Sequence, residues 1–495
     1  MSKIIKVNPK ETEIDYQKTG FFRHKKLKNG KYLLTNDSGE YVILEGKKFQ
    51  DLLKGKLKEK DSIFPILQGQ GLIRDKMNFP GLAAGYQRKN LFLWQGPSLH
   101  IVVVTLRCDH RCVYCQASSH KAGEKGFDLD AGKAKKIVDI IFKSPSKSIA
   151  IEFQGGEPLL NWPVVRFIVE YAKEKNKVEK KNLELRLVSN LSKMDDEKLN
   201  FLVTNEVTLC TSLDGPEHIH NKNRIFTESN SYENTVKWLK KSQKVYKNKL
   251  ENKFQPGAIV TVSRYSLKYP KEIVDEYIKQ GMEAIFIRPL TPLGVGKALW
   301  GEIGYSSEEY LAFYKKALEH IIKYASRNPK SRFHENFAKI MLGKILTEYE
   351  PNYLELRSPC GAGIGQILYN YDGKVYTCDE ARMLGEDTFC IGDVGKNSYS
   401  ELVSHPTVKS LCLASCLDGL SCNSCVYKPY CGVCPIYNYA TSGNIFSQMP
   451  ANQRCKINKG IFDFLFEKMQ NNKTGKIFTK WSKFTLPVDS NKKLK

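Results

Sequence analysis

The sequence lacks long hydrophobic runs. No apolar run in its 495 residues approaches the roughly 18 residues that a transmembrane helix requires. The first ten residues have no apolar core of the kind found in signal peptides. These two absences predict a soluble, cytoplasmic protein with no membrane partner. The hydrophobic fraction of 41% still suits well-packed cores, and a chain of this length is expected to form roughly two to four domains.

The sequence also has few acidic residues relative to basic ones. It contains 53 Asp and Glu residues against 77 Lys and Arg residues, which gives a net charge of +24. Such a charge would suit an acidic peptide or a nucleic acid as a partner. The lysines are spread along the chain instead of forming one patch, which favours a general lysine coat on the surface. Nucleic acid is therefore not expected as a partner.

Fourteen cysteines indicate metal ligands, because disulfides are rare in a reducing compartment. Cys108, Cys112 and Cys115 form a C-x3-C-x2-C group directly after Leu99–Leu106, an apolar run rich in β-branched residues. That run predicts a strand buried on both faces, with the thiols on the loop that leaves it. Four thiolates suit zinc or an iron–sulfur cluster, whereas three leave one metal position open for chemistry. His110 lies inside the loop and is expected to point to solvent.

Strands and helices alternate from Pro97 to about Lys323, which predicts an α/β fold with a parallel sheet and right-handed crossovers. In such folds, ligands bind at the carboxyl ends of the strands. The six predicted strands are Leu99–Leu106, Ser148–Phe153, Leu183–Val188, Val207–Leu213, Ala258–Val262 and Ala284–Arg288.

Three polar motifs follow predicted strand ends. After the second strand, Gln154–Pro158 contains two glycines, which allow close backbone approach to a ligand, and Glu157, which can accept a hydrogen bond from an ammonium group. After the third strand, Ser189 and Asn190 offer short polar groups of the type that bind ribose. After the fourth strand, an S-L-D-G-P stretch begins at Ser212 and continues to Arg224. Arg288 ends the sixth strand and is expected to line the same pocket.

A second group of cysteines lies in the C-terminal third. Cys360 is followed by a predicted hairpin around Asp372–Gly373 that closes at Cys378. A four-cysteine run and one further cysteine come next, at Cys422, Cys425, Cys431, Cys434 and Cys455. Spacing alone leaves a zinc ribbon and an iron–sulfur site as alternatives.

The C-x3-C-x2-C loop, with Tyr114 before its last cysteine, resembles the cluster loop of radical S-adenosylmethionine (SAM) enzymes. The resemblance implies an open, partial (β/α)6 barrel whose three thiolates hold a [4Fe–4S] cluster, with the amino and carboxylate groups of SAM on the fourth iron. It also implies that the G-G-E-P motif contacts the SAM amino group and that Arg224 pairs with the SAM carboxylate. The implied cofactor-binding residues are Tyr114, Gly155, Gly156, Glu157, Ser189, Asn190, Ser212 and Arg224.

The C-terminal cysteines resemble a SPASM domain, which carries auxiliary [4Fe–4S] clusters. The resemblance implies that Cys422, Cys425, Cys431 and Cys455 hold one cluster and that Cys360, Cys378 and Cys434 belong to another. This sequence departs from the family in two places. Two residues, where the family usually has three, separate Cys431 from Cys434, and no cysteine lies just before Cys360. The second cluster is therefore expected either to have an open iron or to take Cys390, Cys412 or Cys416.

Asp379 directly follows Cys378 and matches an acid proposed as a proton acceptor in related sulfatase-maturing enzymes. It is therefore a candidate catalytic base. The alternative is a carboxylate that caps the turn. We expect it to serve an oxidation in which an auxiliary cluster takes the surplus electron.

The N-terminal segment from Phe21 to about Ile73 predicts two strands, Lys31–Thr35 and Glu40–Leu44, followed by two short helices. This order resembles the winged-helix-like element that recognises precursor peptides on maturases of ribosomally made peptides, where the leader pairs with an edge strand. A structural cap on the barrel is the alternative.

The run F-Q-G-G-E-P-L-L-N-W, the S-L-D-G-P stretch, G-A-G-I-G-Q-I-L-Y-N-Y-D-G-K-V-Y-T-C-D-E-A-R-M and C-V-Y-K-P-Y-C-G-V-C-P are most similar to the His-Xaa-Ser system radical SAM maturases. The resemblance covers roughly Phe21–Phe466. It implies an oxidoreductase that cleaves SAM to a 5′-deoxyadenosyl radical and cross-links or oxidises a ribosomally synthesised precursor peptide. An external electron donor such as flavodoxin or ferredoxin is expected.

The predicted organisation is an N-terminal module (1–95), a barrel (96–330), a helical linker with the SPASM domain (331–470), and a basic flexible tail (471–495). Two other classes of function remain as alternatives. One is a radical SAM enzyme that modifies RNA, which should show a basic face with stacking aromatics. The other is a cysteine-rich zinc-binding protein.

Overall fold

The computed structural model describes residues 14–250 and 255–484. The predictions for the first ten residues and for residues 485–495 lie outside these ranges. The described residues form an N-terminal module, an α/β barrel and a cysteine-rich C-terminal part, in that order along the chain. No helix within these ranges is both long and apolar enough to cross a membrane.

The N-terminal module is a three-stranded antiparallel sheet packed against short helices. Leu34, Phe49 and Leu67 are buried in its core. The predicted strands and helices are present, but the first strand was not predicted because its sequence, R-H-K-K, has no apolar alternation. The elements are β1 (Arg23–Lys26), β2 (Tyr32–Thr35), β3 (Tyr41–Leu44), α1 (Gly46–Leu53), α2 (Phe64–Gly69) and α3 (Phe79–Lys89).

The barrel contains all six predicted strands, close to their predicted bounds. They are parallel and lie side by side in chain order. Buried runs such as Val102–Val104 are covered on the outer face by helices, as is usual for a parallel sheet. The strands of this part are β4 (Leu99–Thr105), β5 (Arg107–Cys108), β6 (His110–Cys112), β7 (His120–Lys121), β8 (Ser148–Gly155), β9 (Asn182–Val188), β10 (Val207–Ser212), β11 (Arg224–Phe226), β12 (Gly257–Thr261), β13 (Ala284–Arg288) and β14 (His334–Glu335).

Helices connect these strands and cover the outside of the sheet. Most have apolar residues at helical spacing, such as Ile137, Val138 and Ile141, which are fully buried. The helices are α4 (Ala131–Ile141), α5 (Trp162–Glu179), α6 (Asp196–Thr204), α7 (Glu217–Asn223), α8 (Ser231–Leu250), α9 (Pro270–Lys279), α10 (Gly294–Ala298), α11 (Trp300–Ile303), α12 (Ser307–Arg327) and α13 (Asn336–Leu346).

The C-terminal part extends the barrel sheet at its first strand. Its first strand pairs in parallel with β4, with Gln366 opposite Leu99, and the predicted hairpin follows as an antiparallel pair. This pairing brings the C-terminal cysteines to the open side of the barrel. The elements are β15 (Gln366–Tyr369), β16 (Lys374–Tyr376), α14 (Asp379–Met383), β17 (Cys390–Asp393), α15 (Tyr399–Val403), α16 (Pro406–Ala414), α17 (Pro435–Ser442), α18 (Gln453–Met469) and α19 (Asn472–Lys483).

The prediction of a flexible tail from residue 471 is wrong for the described part of that segment. Residues 472–483 form α19, which packs against α13 and buries Phe478 and Trp481. Ile477, Phe478 and Trp481 lie on one face of the helix, but the interspersed lysines conceal this pattern in the sequence.

The N-terminal module docks on the C-terminal part. The Thr35 hydroxyl donates a hydrogen bond to the Val426 carbonyl at 2.7 Å, and the Tyr430 hydroxyl donates to the Gly39 carbonyl at 2.9 Å. Val426 directly follows one cysteine of the C-terminal run, and Tyr430 directly precedes another. The turn between β2 and β3 is therefore anchored beside the second group of cysteines.

Candidate active site and cysteine centres

A single cavity of about 1110 Å³ lies inside the barrel and reaches the carboxyl ends of its strands. The two sets of thiols that the sequence places far apart both line it. We call Cys108, Cys112 and Cys115 the loop thiols, and Cys360, Cys378 and Cys434 the inner thiols. The cavity is also lined by Tyr114, Gly155, Gly156, Ser189, Asn190, Ser212, Arg224, Arg288 and Asp379. Of the predicted cofactor-binding residues, Glu157 is the one that does not line the cavity.

The loop thiols are fixed by pairing between β6 and β11, in which Cys112 lies opposite Arg224. The Cys108 sulfur accepts a hydrogen bond from the backbone N–H of His110 at 3.4 Å, and the Asn190 amide lies 3.8 Å from the same sulfur. Hydrogen bonds of this kind stabilise thiolates and tune the potentials of iron–sulfur clusters.

His110 is buried, so the prediction that it points to solvent is wrong. Its ring stacks on Phe226 at 4.4 Å, and its two nitrogens lie 2.9 Å from the Asp109 carboxylate and 3.0 Å from the Ser231 hydroxyl. Phe226 and Ser231 lie far from His110 in the sequence, so the sequence does not reveal these two contacts. Asp109 also accepts from Asn190 and Ser192, so it organises the loop; the sequence reasoning missed it.

Glu157 does not line the cavity. The prediction that its carboxylate contacts a ligand's ammonium group is therefore wrong. Its side chain is fully buried and accepts hydrogen bonds from the Ser189 hydroxyl at 2.8 Å and the backbone N–H of Asn190 at 2.7 Å. Burial raises the pKa of this carboxyl to about 7. Glu157 therefore holds the loop after β9 in position through its hydrogen bonds with Ser189 and Asn190.

Gly155 and Gly156 line the cavity, but they also have a packing role. A Cβ atom at Gly155 would lie 2.1 Å from the Thr105 carbonyl oxygen, and one at Gly156 would lie 2.3 Å from the Arg107 carbonyl oxygen. Glycine is required at both positions because the motif packs directly on the backbone that leads into the loop thiols.

A buried triad of Tyr114, Asp214 and Arg224 lies beside the loop thiols. The Tyr114 hydroxyl donates to Asp214 at 2.5 Å and accepts from an Arg224 guanidinium nitrogen at 3.1 Å. Burial raises the pKa of Asp214 to about 6. The Nε of Arg224 is buried and has no hydrogen-bond partner among the described residues. An unpaired donor on a buried cation beside Cys112 suits an anionic group such as the carboxylate of SAM. Asp214 is the D of the S-L-D-G-P motif, yet sequence reasoning assigned it no role.

A half-buried ion-pair network lies beside the cavity, which Arg288 and Glu355 line. Arg288 lies 2.6 Å from Glu355, and Arg454 lies 3.6 Å from the same carboxylate. Burial alone would raise the pKa of Glu355, but the two guanidinium groups lower it to about 2. The second terminal nitrogen of Arg454, NH1, has no hydrogen-bond partner among the described residues.

The inner thiols lie where two helices begin. The Cys378 sulfur accepts from the Ala381 N–H at 3.4 Å at the start of α14, and the Cys434 sulfur accepts from the Tyr437 N–H at 3.3 Å at the start of α17. Each sulfur therefore receives one backbone hydrogen bond, while burial raises the pKa of both thiols. Asp379 lies in the same cavity and accepts from the Gln366 amide at 3.0 Å.

The outer thiols, Cys422, Cys425, Cys431 and Cys455, form a separate group. Burial raises the pKa of Cys431 to about 12, with further contributions from charge on its three partner cysteines. The Asn458 amide lies 3.7 Å from the Cys431 sulfur. Cys422 and Cys455 pack against one small apolar cluster, and Cys425 and Cys431 pack against the neighbouring core. That these four hold one cluster stays a prediction.

The spacing of the sulfurs bears on the type of metal. In a zinc tetrahedron with bonds of about 2.3 Å, sulfurs lie about 3.8 Å apart. Within the described ranges, no three cysteine sulfurs all lie within 4.8 Å of one another. The one group of metal-ligating atoms that meets this criterion there is Cys378, Asp379 and Glu380. The wider spacing favours a larger group than a single ion, and an iron–sulfur cluster fits.

Comparison with known proteins agrees with this arrangement. The family model of the radical SAM superfamily matches residues 102–255. The cysteine-type anaerobic sulfatase-maturating enzyme of Clostridium novyi (strain NT) is 22% identical over 364 residues, which cover 71% of this chain and 92% of that protein. The enzyme of the same name from Clostridium perfringens (strain 13 / Type A) is 23% identical over 390 residues, covering 76% and 97%.

Two solved structures share the fold. Native anSMEcpe with bound AdoMet superposes with a TM-score of 0.62 at 17% identity, over 77% of this chain and all (100%) of that one. Streptococcus suis SuiB bound to the precursor peptide SuiA gives 0.51 at 14% identity, over 86% and 98%. Residues 102–255 therefore match the radical SAM superfamily, and the chain is similar to the sulfatase-maturating enzymes.

Proposed function

We propose that this protein is a radical SAM maturase that oxidises or cross-links residues of a ribosomally synthesised precursor peptide. The observation that carries the proposal is that the loop thiols, the inner thiols and Asp379 line one cavity. A site of this kind allows a hydrogen to be removed at one wall and an electron and a proton to be accepted at the other.

The residues of the chain supply a binding site for each part. A [4Fe–4S] cluster held by the loop thiols would supply the electron that cleaves SAM. The unpaired Nε of Arg224 would bind the SAM carboxylate, while Tyr114 and Asp214 hold that guanidinium in place. Gly155, Gly156 and Ser212 would shape the remaining wall, and the hydrogen bonds of Glu157 keep Ser189 and Asn190 beside the loop.

The inner wall supports an oxidative outcome. Asp379 is held by Gln366 and borders the cavity, so its carboxylate could take a proton from a substrate radical or its neighbour. Auxiliary clusters at the inner and outer thiols would carry the surplus electron to an external acceptor. A flavodoxin or ferredoxin would serve as the donor that starts the reaction.

A peptide substrate is supported by the relatives and by the size of the site. Two structural neighbours have bound peptides, SuiA in SuiB and Kp18Cys peptide in anSMEcpe. Ordinary ligand pockets have volumes of about 300–1,000 Å³. This cavity, at about 1110 Å³, is larger than that range, so it has more room than SAM alone needs. We assign recognition of the leader to the N-terminal module, in which β3 pairs with one neighbour and leaves an edge.

The first experiment is metal analysis of anaerobically purified protein, wild type and a Cys108/Cys112/Cys115→Ala variant. We expect about eight to twelve irons in the wild type and about four fewer in the variant. The wild type, but not the variant, should convert SAM to 5′-deoxyadenosine. A short open reading frame beside this gene, particularly one encoding His-x-Ser repeats, should supply the peptide whose mass changes. Zinc without iron would refute the proposal.

A further inference from the structure

The inner thiols provide three sulfurs, whereas protein-bound [4Fe–4S] clusters usually have four protein ligands. Three further cysteines of the C-terminal part are candidates for the fourth position: Cys390, Cys412 and Cys416. None of them lines the cavity that the inner thiols face. The Cys390 sulfur donates to the Gly392 carbonyl at 3.4 Å, and the Cys416 sulfur donates to the Cys412 carbonyl at 3.3 Å.

Cys412 is also turned away from the inner thiols. It lies on α16 and packs with the core on the outer side of the barrel sheet, together with Val408. The inner thiols pack with a different core, on the side of the sheet that contains Leu106 and Tyr437. Of the three inner thiols, Cys360 is the one whose pKa is raised by charge on Cys412.

Glu380 differs from Cys390, Cys412 and Cys416 in its position relative to the inner thiols. It lines the cavity with all three inner thiols. One of its carboxylate oxygens lies within 4.8 Å of both the Cys378 sulfur and an Asp379 oxygen. Glu380 is thus a carboxylate that shares the cavity with the whole set and lies beside one of its sulfurs.

We propose that a carboxylate oxygen of Glu380 is the fourth protein ligand of the auxiliary cluster at the inner thiols. This inference rests on the proposed function, because it takes those thiols as ligands of an iron–sulfur cluster. Asp379, which accepts a hydrogen bond from the Gln366 amide and also contacts Glu380, would then remain as the carboxylate that contacts substrate. Arg454, whose NH1 lacks a partner within the described ranges, lies close enough to Cys434 and Glu380 for its charge to act on both. It would balance the negative charge of three thiolates and a carboxylate.

The experiment uses the full chain with the loop thiols changed to alanine, so that the SAM cluster does not contribute. Protein grown with glutamate labelled with ¹³C at the side-chain carboxyl is reduced and examined by electron–nuclear double resonance. We expect a ¹³C coupling to the cluster that is lost in Glu380→Gln and kept in the matched variant Asp379→Asn. The Cys412→Ala variant should keep both the coupling and the iron content.

Iron content separates the ways in which this test can fail. Iron at about eight atoms per chain without a ¹³C coupling would overturn the ligation and leave the proposed function intact. A coupling that disappears in Asp379→Asn but persists in Glu380→Gln would overturn it as well. If Glu380→Gln fails to assemble the inner cluster, Glu380→Cys should restore the full iron content, and failure to do so would overturn the inference. Zinc in place of iron would refute the proposed function itself.

Discussion

The loop thiols and the inner thiols are two three-cysteine sites that line one cavity, and their surroundings differ. Among the loop thiols, Cys112 lies opposite a buried cation, Arg224, which has an unpaired donor. Among the inner thiols, Cys378 lies beside the carboxylates of Asp379 and Glu380. Under the proposed function, these charges would suit two different tasks: a cation suits an anionic cosubstrate, whereas a carboxylate suits ligation or proton transfer.

The largest effect should come from removing either set of thiols, because the two variants should lose different products. Changing the loop thiols to alanine should reduce 5′-deoxyadenosine formation to background, because nothing else in the site can deliver an electron to SAM. Changing the inner thiols to alanine should leave measurable 5′-deoxyadenosine but no modified peptide. Chromatography of both products from the same reactions measures this difference. Loss of 5′-deoxyadenosine in both variants, with both folded, would show that the two walls do not have separate tasks.

Arg224 tests the cation of the first wall. Arg224→Ala should weaken SAM binding by roughly 10- to 100-fold, the scale of a lost charge-assisted hydrogen bond of about 1.5–3 kcal/mol. Arg224→Lys should recover part of the affinity, since it restores the charge without the planar fork. Equilibrium dialysis of the cluster-loaded protein measures both. Unchanged affinity in Arg224→Ala would remove this residue from the SAM site.

Glu157 tests the structural role assigned above. Glu157→Gln turns an amide donor toward the backbone N–H of Asn190 and should lower the free energy of unfolding by about 1–3 kcal/mol below pH 4.5, where the wild-type side chain makes its full contribution. The folded-state pKa of Glu157, about 7, exceeds its ordinary 4.5, so its contribution to stability is present below pH 4.5 and lost as pH rises to 7. The stability difference between wild type and variant should therefore change across that window. Urea unfolding at several pH values measures it, and a flat difference would contradict the burial argument.

The smallest effect should come from a thiol outside both walls. Cys416→Ser should change neither iron content nor peptide product, and its unfolding free energy should stay within about 0.5 kcal/mol of wild type. The half-exposed Cys416 sulfur has a backbone carbonyl as its partner and does not line the cavity. A loss of about four irons would instead make it a ligand.

Much of this fold could be predicted from local signals. The six barrel strands follow from apolar runs, and the thiol groupings follow from spacing and family resemblance. What the sequence conceals are the contacts between distant segments. The solvent-facing role expected for His110 failed because Phe226 and Ser231 cover it, and the ligand role expected for the Glu157 carboxylate failed because Ser189 and Asn190 occupy it.

Charge placement was equally hidden. Glu355 pairs with both Arg288 and Arg454, which are distant from it in the chain, and no periodicity marks these residues. The lysine-rich α19 was predicted to be flexible because its two buried aromatic residues are surrounded by polar ones. Pattern reasoning finds elements that bury a continuous stripe, but it does not find partners that come from another part of the chain.

The N-terminal module docks beside the outer thiols. Thr35 and Tyr430 bridge the β2–β3 turn to the short segment between two outer cysteines. If the outer thiols hold a cluster and the module recognises the precursor, as proposed, the two functions share this segment, and a change at the cluster could be transmitted to the module through these two hydrogen bonds.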